Sequence, residues 1–462
     1  MALETATANE TFDDWRRRSQ LSLAAERLNH IEVDGKHFKA GDKRFPFRGV
    51  TYGTFARRAD GALFPENARM RADMKAIAYA GFTVVRTYTP PPPDMLDAAR
   101  DFGLRILAGI DYQDWRYLVG RRTSDIRSVR REAREAATDF ARQVAGDPVV
   151  LGISVGNEVP ADVIRWVGTK PVSALVSELC ALVHDIDPRR LVTYANYPTA
   201  EYLHGDDSDF VTFNVFLETR QAFHRYLTKL QHAAGARPLV LGEVGLDSAG
   251  DAEGERRQAE VLEWQLEVAM ERGVAGCCVF SWTDAWTVAG RPVDDWHFGV
   301  THRDRSPKPA LSVAERWNQL EISDARAEWP SMSVVICAYN ASATLDECLE
   351  HTCGLDYPGL EILVVDDGST DATPEIVRRH RRARLLTIAH AGLATARNEG
   401  LRATAGEIVA FLDSDAYPAP EWPYYLALGF DKEAQIRDNL GRPSPLAGEK
   451  AKPIAALLNN MA

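Results

Sequence analysis

The run Val149-Val150-Leu151-Gly152-Ile153-Ser154-Val155-Gly156-Asn157-Glu158-Val159-Pro160 decides how most of this chain is read. Its first seven residues are mostly apolar and β-branched, then the pattern breaks at a polar Asn-Glu pair. A near-continuous apolar run of this length is the mark of a strand buried on both faces, as in a parallel sheet. Pro238-Leu239-Val240-Leu241-Gly242-Glu243-Val244-Gly245 repeats the pattern, again with a glutamate just past the apolar stretch. If both are strands of one parallel barrel, both carboxylates emerge at its C-terminal face, where barrel enzymes carry their chemistry. Two carboxylates facing one cleft are what cleavage of a glycosidic bond requires.

Working outward, short apolar runs alternate with longer amphipathic stretches, the rhythm of parallel β/α units. Eight runs qualify as strands: 47–52, 83–87, 105–110, 149–155, 191–194, 210–215, 239–242 and 277–281. Apolar positions at helical spacing mark 67–80, 128–145, 171–184, 220–233 and 253–272. Eight strands over about 250 residues predict a (β/α)8 TIM barrel, although the alternation alone would also suit a doubly wound sheet. A helical arm is expected over 1–30, the barrel over 31–319, and a charged linker ending in Pro330 over 320–330. A new β/α rhythm over 331–430 then predicts a second, Rossmann-like α/β domain, and 431–462 reads as a divergent polar tail.

The formal net charge of −12 argues against a nucleic-acid surface and suits neutral or cation-bridged ligands. Six cysteines stand without metal-type spacing, several inside strand-like runs, which suits reduced thiols in a cytoplasmic protein. Met1 to His30 has no apolar signal-peptide core, and no uninterrupted apolar stretch reaches the roughly 18 residues a membrane span needs. A soluble chain without a membrane segment is expected.

The Asn157-Glu158 pair after strand four and Glu243 after strand seven resemble the clan A retaining glycoside hydrolases, nearest to their family 2 and family 5 branches. Arg86 in Val84-Val85-Arg86-Thr87-Tyr88, Ser281-Trp282-Thr283-Asp284-Ala285-Trp286 after strand eight, and Asp295-Trp296-His297-Phe298-Gly299 extend the resemblance. It implies Glu158 as acid/base and Glu243 as nucleophile, with carboxyls about 5–5.5 Å apart and retention of configuration. Asn157 would hold the sugar 2-hydroxyl, and Arg86 would keep Glu243 ionised while crowding raises the pKa of Glu158. Trp282, Trp286, Tyr88 and Asn214 are the expected substrate-binding residues, and no cofactor is expected for the barrel. Where the family carries a tyrosine after strand six whose hydroxyl touches the nucleophile, this chain has Phe216. Either Tyr194 or Tyr88 supplies that contact, or transfer to a sugar competes with hydrolysis.

Downstream, Val335-Ile336-Cys337-Ala338-Tyr339-Asn340, Val364-Val365-Asp366-Asp367-Gly368-Ser369-Thr370-Asp371, the segment 392–400 and Phe411-Leu412-Asp413-Ser414-Asp415 follow in order. They resemble the N-terminal half of the family 2 inverting glycosyltransferases, which have the GT-A fold. That likeness implies a UDP-sugar held by Tyr339, Asn340, Asp367, Arg397 and Asp413. It also implies a divalent cation, Mg or Mn, at Asp413 and Asp415, because a diphosphate needs hard-cation bridging. The family's acceptor-side motifs do not follow Tyr417, so this segment is expected to be a truncated or frameshifted half that cannot transfer sugar alone. No Gly-X-Gly-X-X-Gly occurs, and dinucleotide redox chemistry has no support.

The chain therefore reads as a retaining β-glycosidase or transglycosylase barrel for a β-glucan-like oligo- or polysaccharide, joined to an incomplete glycosyltransferase module. The alternatives are a nucleotide-sugar-dependent transferase with an accessory barrel, and a glucan-binding module with a silent cleft.

Overall fold

The computed structural model describes residues 28–41, 43–112, 115, 124–203, 205, 207–288, 291–320, 328–439 and 454–456. Nearly all of the expected N-terminal arm and most of the expected linker lie outside these. The chain divides into two compact units, one up to Gln319 and one from Leu320.

The first unit is a closed barrel of eight parallel strands: β1 (Phe47–Thr51), β2 (Val84–Arg86), β3 (Arg105–Gly109), β4 (Val150–Asn157), β5 (Leu191–Asn196), β6 (Val211–Asn214), β7 (Leu239–Val244) and β8 (Gly276–Val279). All eight lie where the sequence predicts them, with ends shifted by up to two residues. The doubly wound alternative is excluded because β8 pairs with β1 and closes the sheet. Helices pack outside with their apolar stripes inward, as in Ser124–Gln143, where Val129, Ala133, Ala137 and Phe140 are buried. Helices Pro93–Asp101, Ala161–Val167 and Pro309–Gln319 complete the shell and were not legible in the apolar pattern. The first two are too short for a strong helical period.

Inside the barrel, the end opposite the C-terminal face is filled. Phe47, Val84, Leu107, Leu151, Leu191, Phe210, Val240 and Cys278 form one buried cluster, to which the hairpin Ile31–Asp34 and His37–Ala40 adds Ile31 and Phe38. The Phe38 ring packs on Phe47 at 5.5 Å and Phe210 at 5.3 Å. With that end plugged by aromatic packing, the open C-terminal mouth is what remains for a ligand.

The second unit is a parallel sheet of β9 (Met332–Ala338), β10 (Leu360–Asp366), β11 (Ala383–Thr387), β12 (Ile408–Asp413) and β13 (Ile454–Ala456), in the order β11-β10-β9-β12-β13. The chain winds one way from β9 and then the other, so the crevice at the β9/β12 switch is where such sheets take ligands. The expected domain end at 430 is not an element boundary. Helix Trp422–Asn439 runs across it, and β13 from the expected tail pairs with β12. Polar residues after Phe430 change the composition, but Asp431-Lys432-Glu433-Ala434 breaks no helix.

Candidate active site

Arg86 closes β2 with its guanidinium inside the barrel mouth, 1% exposed. It donates to Asn157 Oδ1 at 2.6 Å, Gly242 carbonyl at 2.6 Å, Asn214 Oδ1 at 3.0 Å and Glu243 Oε1 at 3.2 Å. One cation thus joins the ends of β4, β6 and β7. Any side chain at 242 would intrude, since a Cβ there would lie 2.7 Å from Arg86, Asn214 and Thr212 atoms. Glycine is what lets the arginine reach under the glutamate.

Asn214 fixes the spacing of the two carboxylates. Its Nδ2 donates to Glu158 Oε1 and to Glu243 Oε1, each at 2.8 Å, so those two oxygens are at most about 5.6 Å apart. That limit falls at the separation where no water fits between the carboxyls, the arrangement of retaining glycosidases. Glu158 itself has φ of +46°, a left-handed conformation uncommon outside glycine, and its amide donates to the Ala195 carbonyl at 2.9 Å. The turn directs the chain away from β4 immediately after Asn157. The Asn157 oxygen is taken by Arg86 and Asn214, which leaves its Nδ2 as the donor for a ligand.

The hydroxyl partner of Glu243 is Tyr88. Its phenol donates to Glu243 Oε1 at 2.7 Å, while the Tyr194 hydroxyl accepts from the Val159 amide. Burial and the neighbouring Glu243 charge push the Tyr88 phenol well above its ordinary value, so it stays a donor. At Glu243 the balance differs from the sequence expectation that Arg86 keeps this carboxyl ionised. Burial pushes the Glu243 carboxyl up to about 7, against the Arg86 guanidinium that pulls it down, with Glu158 adding to the rise. Desolvation dominates at Glu243 because its side chain is enclosed at the barrel mouth, 6% exposed.

An open cleft of about 750 Å³ lies over these groups, lined by Phe55, Tyr88, Phe280, Trp286 and Trp296, with Asn157, Glu158, Glu243 and Asp111. Trp286 packs edge-on against Tyr88 at 5.5 Å and Phe280 at 4.7 Å. Trp282, expected at the substrate floor, instead belongs to the packed shell outside the barrel and is 2% exposed. Phe280 takes the place at the cleft. Phe280 stands one residue past the end of β8, two beyond the inward-facing Cys278, and the strand's alternation carries that far but not on to Trp282. The loop that carries Trp286 and Trp296 is tied down by the buried Lys308, whose ammonium lies 2.8 Å from Asp284 and 3.0 Å from the His297 carbonyl.

In the second unit, Tyr339 and Asn340 follow β9, Asp367 follows β10, and Asp413 ends β12. Half-exposed Tyr339 stacks on His390 at 4.1 Å. Asn340 is used internally, accepting from the Thr370 amide at 2.8 Å. Asp367 is buried, and its carboxylate accepts from the Ala391 and Gly392 amides, both at 2.8 Å, with His390 Nδ1 at 3.0 Å. Its oxygens are therefore taken up by the 390–392 loop, where the sequence suggested a carboxylate facing the base or ribose of a nucleotide. Arg397 reaches Asp413 Oδ1 at 3.3 Å, and Asp415 is exposed. Among the described residues no three His, Cys, Asp or Glu side chains gather as a metal site. Two carboxylates at a strand end still fit Mg or Mn, which commonly takes one or two carboxylates and completes its shell with phosphate oxygens.

Residues 333–436 match the family model for glycosyl transferase family 2. Over 100 residues the chain is 38% identical to the glycosyltransferase AglE of Haloferax volcanii, covering 20% of this chain and 33% of that protein. Over 116 residues it is 30% identical to poly-beta-1,6-N-acetyl-D-glucosamine synthase of Staphylococcus epidermidis, covering 24% and 28%. The chain spans about a third of the length of the curated relatives it matches. A solved β-glucuronidase from Ruminococcus gnavus shares the fold at TM-score 0.54 and 19% identity, over 62% of this chain and 52% of that one. Among the described residues no single helix is long and apolar enough to cross a membrane. The chain joins a barrel with a glycoside hydrolase-like fold to a segment of the glycosyl transferase family 2 type.

Proposed function

We propose that the barrel is a retaining β-glycosidase or transglycosylase acting on a neutral, β-glucan-like saccharide. The observation that carries this is the Asn214 amide bridging Glu158 and Glu243 over the Arg86 guanidinium. In the first step the Glu243 carboxylate attacks the anomeric carbon as Glu158 gives its proton to the departing glycosidic oxygen. The product is a glycosyl ester on Glu243. In the second step Glu158 takes a proton from water or a sugar hydroxyl, whose oxygen attacks the anomeric carbon and breaks its bond to Glu243, releasing Glu243 as carboxylate. The Asn157 Nδ2 would bond the sugar 2-hydroxyl, and Tyr88 and Asn214 would hold Glu243 in line.

A neutral substrate is favoured over a uronate by the lining of the cleft. Among its described residues Arg57 alone is cationic, and it donates to the Gly61 carbonyl at 2.8 Å. Asp111, Glu158 and Glu243 supply the opposite sign, while aromatic walls suit the apolar faces of a pyranose ring. The test is methanolysis of 4-nitrophenyl β-glucoside followed by proton NMR. Methyl β-glucoside as the first product is the expected result, and methyl α-glucoside would overturn the retaining assignment.

The raised Glu243 carboxyl sets the pH response. Attack needs the ionised form, so kcat/KM for the aryl glucoside is expected to fall as pH drops through about 7. An acidic limb lying near the ordinary carboxylate value of 4.5 would mean that burial does not govern this group.

For the second unit, the match over 333–436 supports binding of a nucleotide-sugar, with Tyr339 and His390 as a stacking face for the base. A divalent cation at Asp413 and Asp415 would neutralise the diphosphate. Arg397 would hold Asp413 in place from its other side. The same match supports a second reading, in which transfer from a nucleotide-sugar is the main activity and the barrel trims or rearranges the product. Reduced cysteines, all six free, suit a cytoplasmic setting for both units.

A further inference from the structure

The aromatic lining of the barrel does not stop at the cleft. From Tyr88 it passes to Trp286, then to Phe280, and from Phe280 both to Phe298 at 5.3 Å and to Phe216 at 5.7 Å. Phe298 also meets Phe216 at 5.7 Å and Trp296 at 5.9 Å. Phe216 is absent from the cleft wall yet 39% exposed, one of the few large apolar side chains left open on this unit. Its place is held by the backbone, because the amide of Val215 donates to the Glu243 carbonyl at 2.9 Å. The open ring therefore stands beside the strand of the candidate nucleophile, on the β6 side of the mouth.

An exposed phenylalanine braced edge-on by the buried Phe280 and the partly covered Phe298 keeps one surface dry and rigid with little entropy left to lose. Such a surface binds the apolar face of a sugar ring, and its continuity with Phe280 and Trp286 aligns it with a chain already seated in the cleft. We propose that Phe216 is a specificity-determining residue that forms a further sugar subsite outside the cleft, so that the barrel selects a chain of neutral β-linked sugars over a terminal sugar or disaccharide. This deepens the reading of the cleft as a saccharide site and rests on it. It also gives the hydroxyl-free side chain at 216 a role apart from activating Glu243, which Tyr88 serves.

The test uses the full chain carrying Glu158→Gln, so that ligands persist, and measures affinity by calorimetry for β-1,3-, β-1,4- and β-1,6-linked glucose hexasaccharides and the matching disaccharides. Adding Phe216→Ala is expected to reduce the hexasaccharide-to-disaccharide affinity ratio by about fivefold for the preferred linkage, with most of it restored by Phe216→Trp. An unchanged ratio, equal loss for both lengths, or no binding by any hexasaccharide would each overturn the subsite. Turnover of 4-nitrophenyl β-glucoside by the wild-type chain, measured alongside, reports on the proposed chemistry separately. A chain that turns over the aryl glycoside but whose length preference ignores Phe216 overturns the subsite alone.

Discussion

The Glu243→Ala chain is expected to lose at least about 10⁴-fold in kcat on 4-nitrophenyl β-glucoside, because the ester it would form has no other carboxylate in reach. Glu158 cannot substitute: its left-handed backbone and the shared Asn214 bond hold it on the opposite side of the amide from Glu243. Alanine at 243 also leaves a small space beside Tyr88, Asn214 and Arg86, whose donors all aim there. Azide should occupy that space as an external nucleophile and restore turnover, giving the α-glucosyl azide, since one displacement replaces two. A drop of less than tenfold, or a β-azide product, would remove Glu243 from the nucleophile's role.

Arg86→Met should produce the largest stability loss of any single change at the mouth. Methionine fills much of the volume but leaves the Asn157 oxygen, the Gly242 carbonyl and the Glu243 carboxylate without their shared donor. Removing one partner of a buried pair costs about 3–5 kcal/mol, far beyond an exposed pair. Urea unfolding of the barrel, followed by tryptophan fluorescence, should show the midpoint fall accordingly. The same change should move the acidic limb of kcat/KM upward, because Arg86 is the group that opposes burial at Glu243. A variant with unaltered midpoint and unaltered limb would mean that the arginine is bystander to both.

Much of the barrel was legible because its strands are buried on both faces. Near-continuous apolar runs survive in the sequence wherever a strand has no wet side, and all eight did. The short helices Pro93–Asp101 and Ala161–Val167 were not, since nine and seven residues carry too few turns to show a period. Motif order carried the second unit, where three strand-end signatures and one at a helix start recur in order, but it could not tell which aspartate faces outward. Asp366 and Asp367 are adjacent, and only the folded 390–392 loop decides that Asp367 spends its oxygens on backbone amides.

What the sequence by itself determined was the pair Glu158 and Glu243, their neighbours Asn157 and Arg86, and the barrel that brings them to one face. What the tertiary structure decided was which side of the wall each residue takes. Along β7, Val240 packs inside the barrel and Leu241 outside, so strict alternation would send Glu243 outward. The pairing register shifts between Leu241 and Glu243 on one side and between Leu241 and Val244 on the other. That irregularity keeps Val244 in the outer shell and turns Glu243 into the mouth, over Arg86. A bulge of this kind depends on contacts from three other strands, and no local sequence period encodes it. The same holds for Tyr88, whose hydroxyl meets Glu243 across 155 residues of chain because β2 and β7 converge only once the barrel closes.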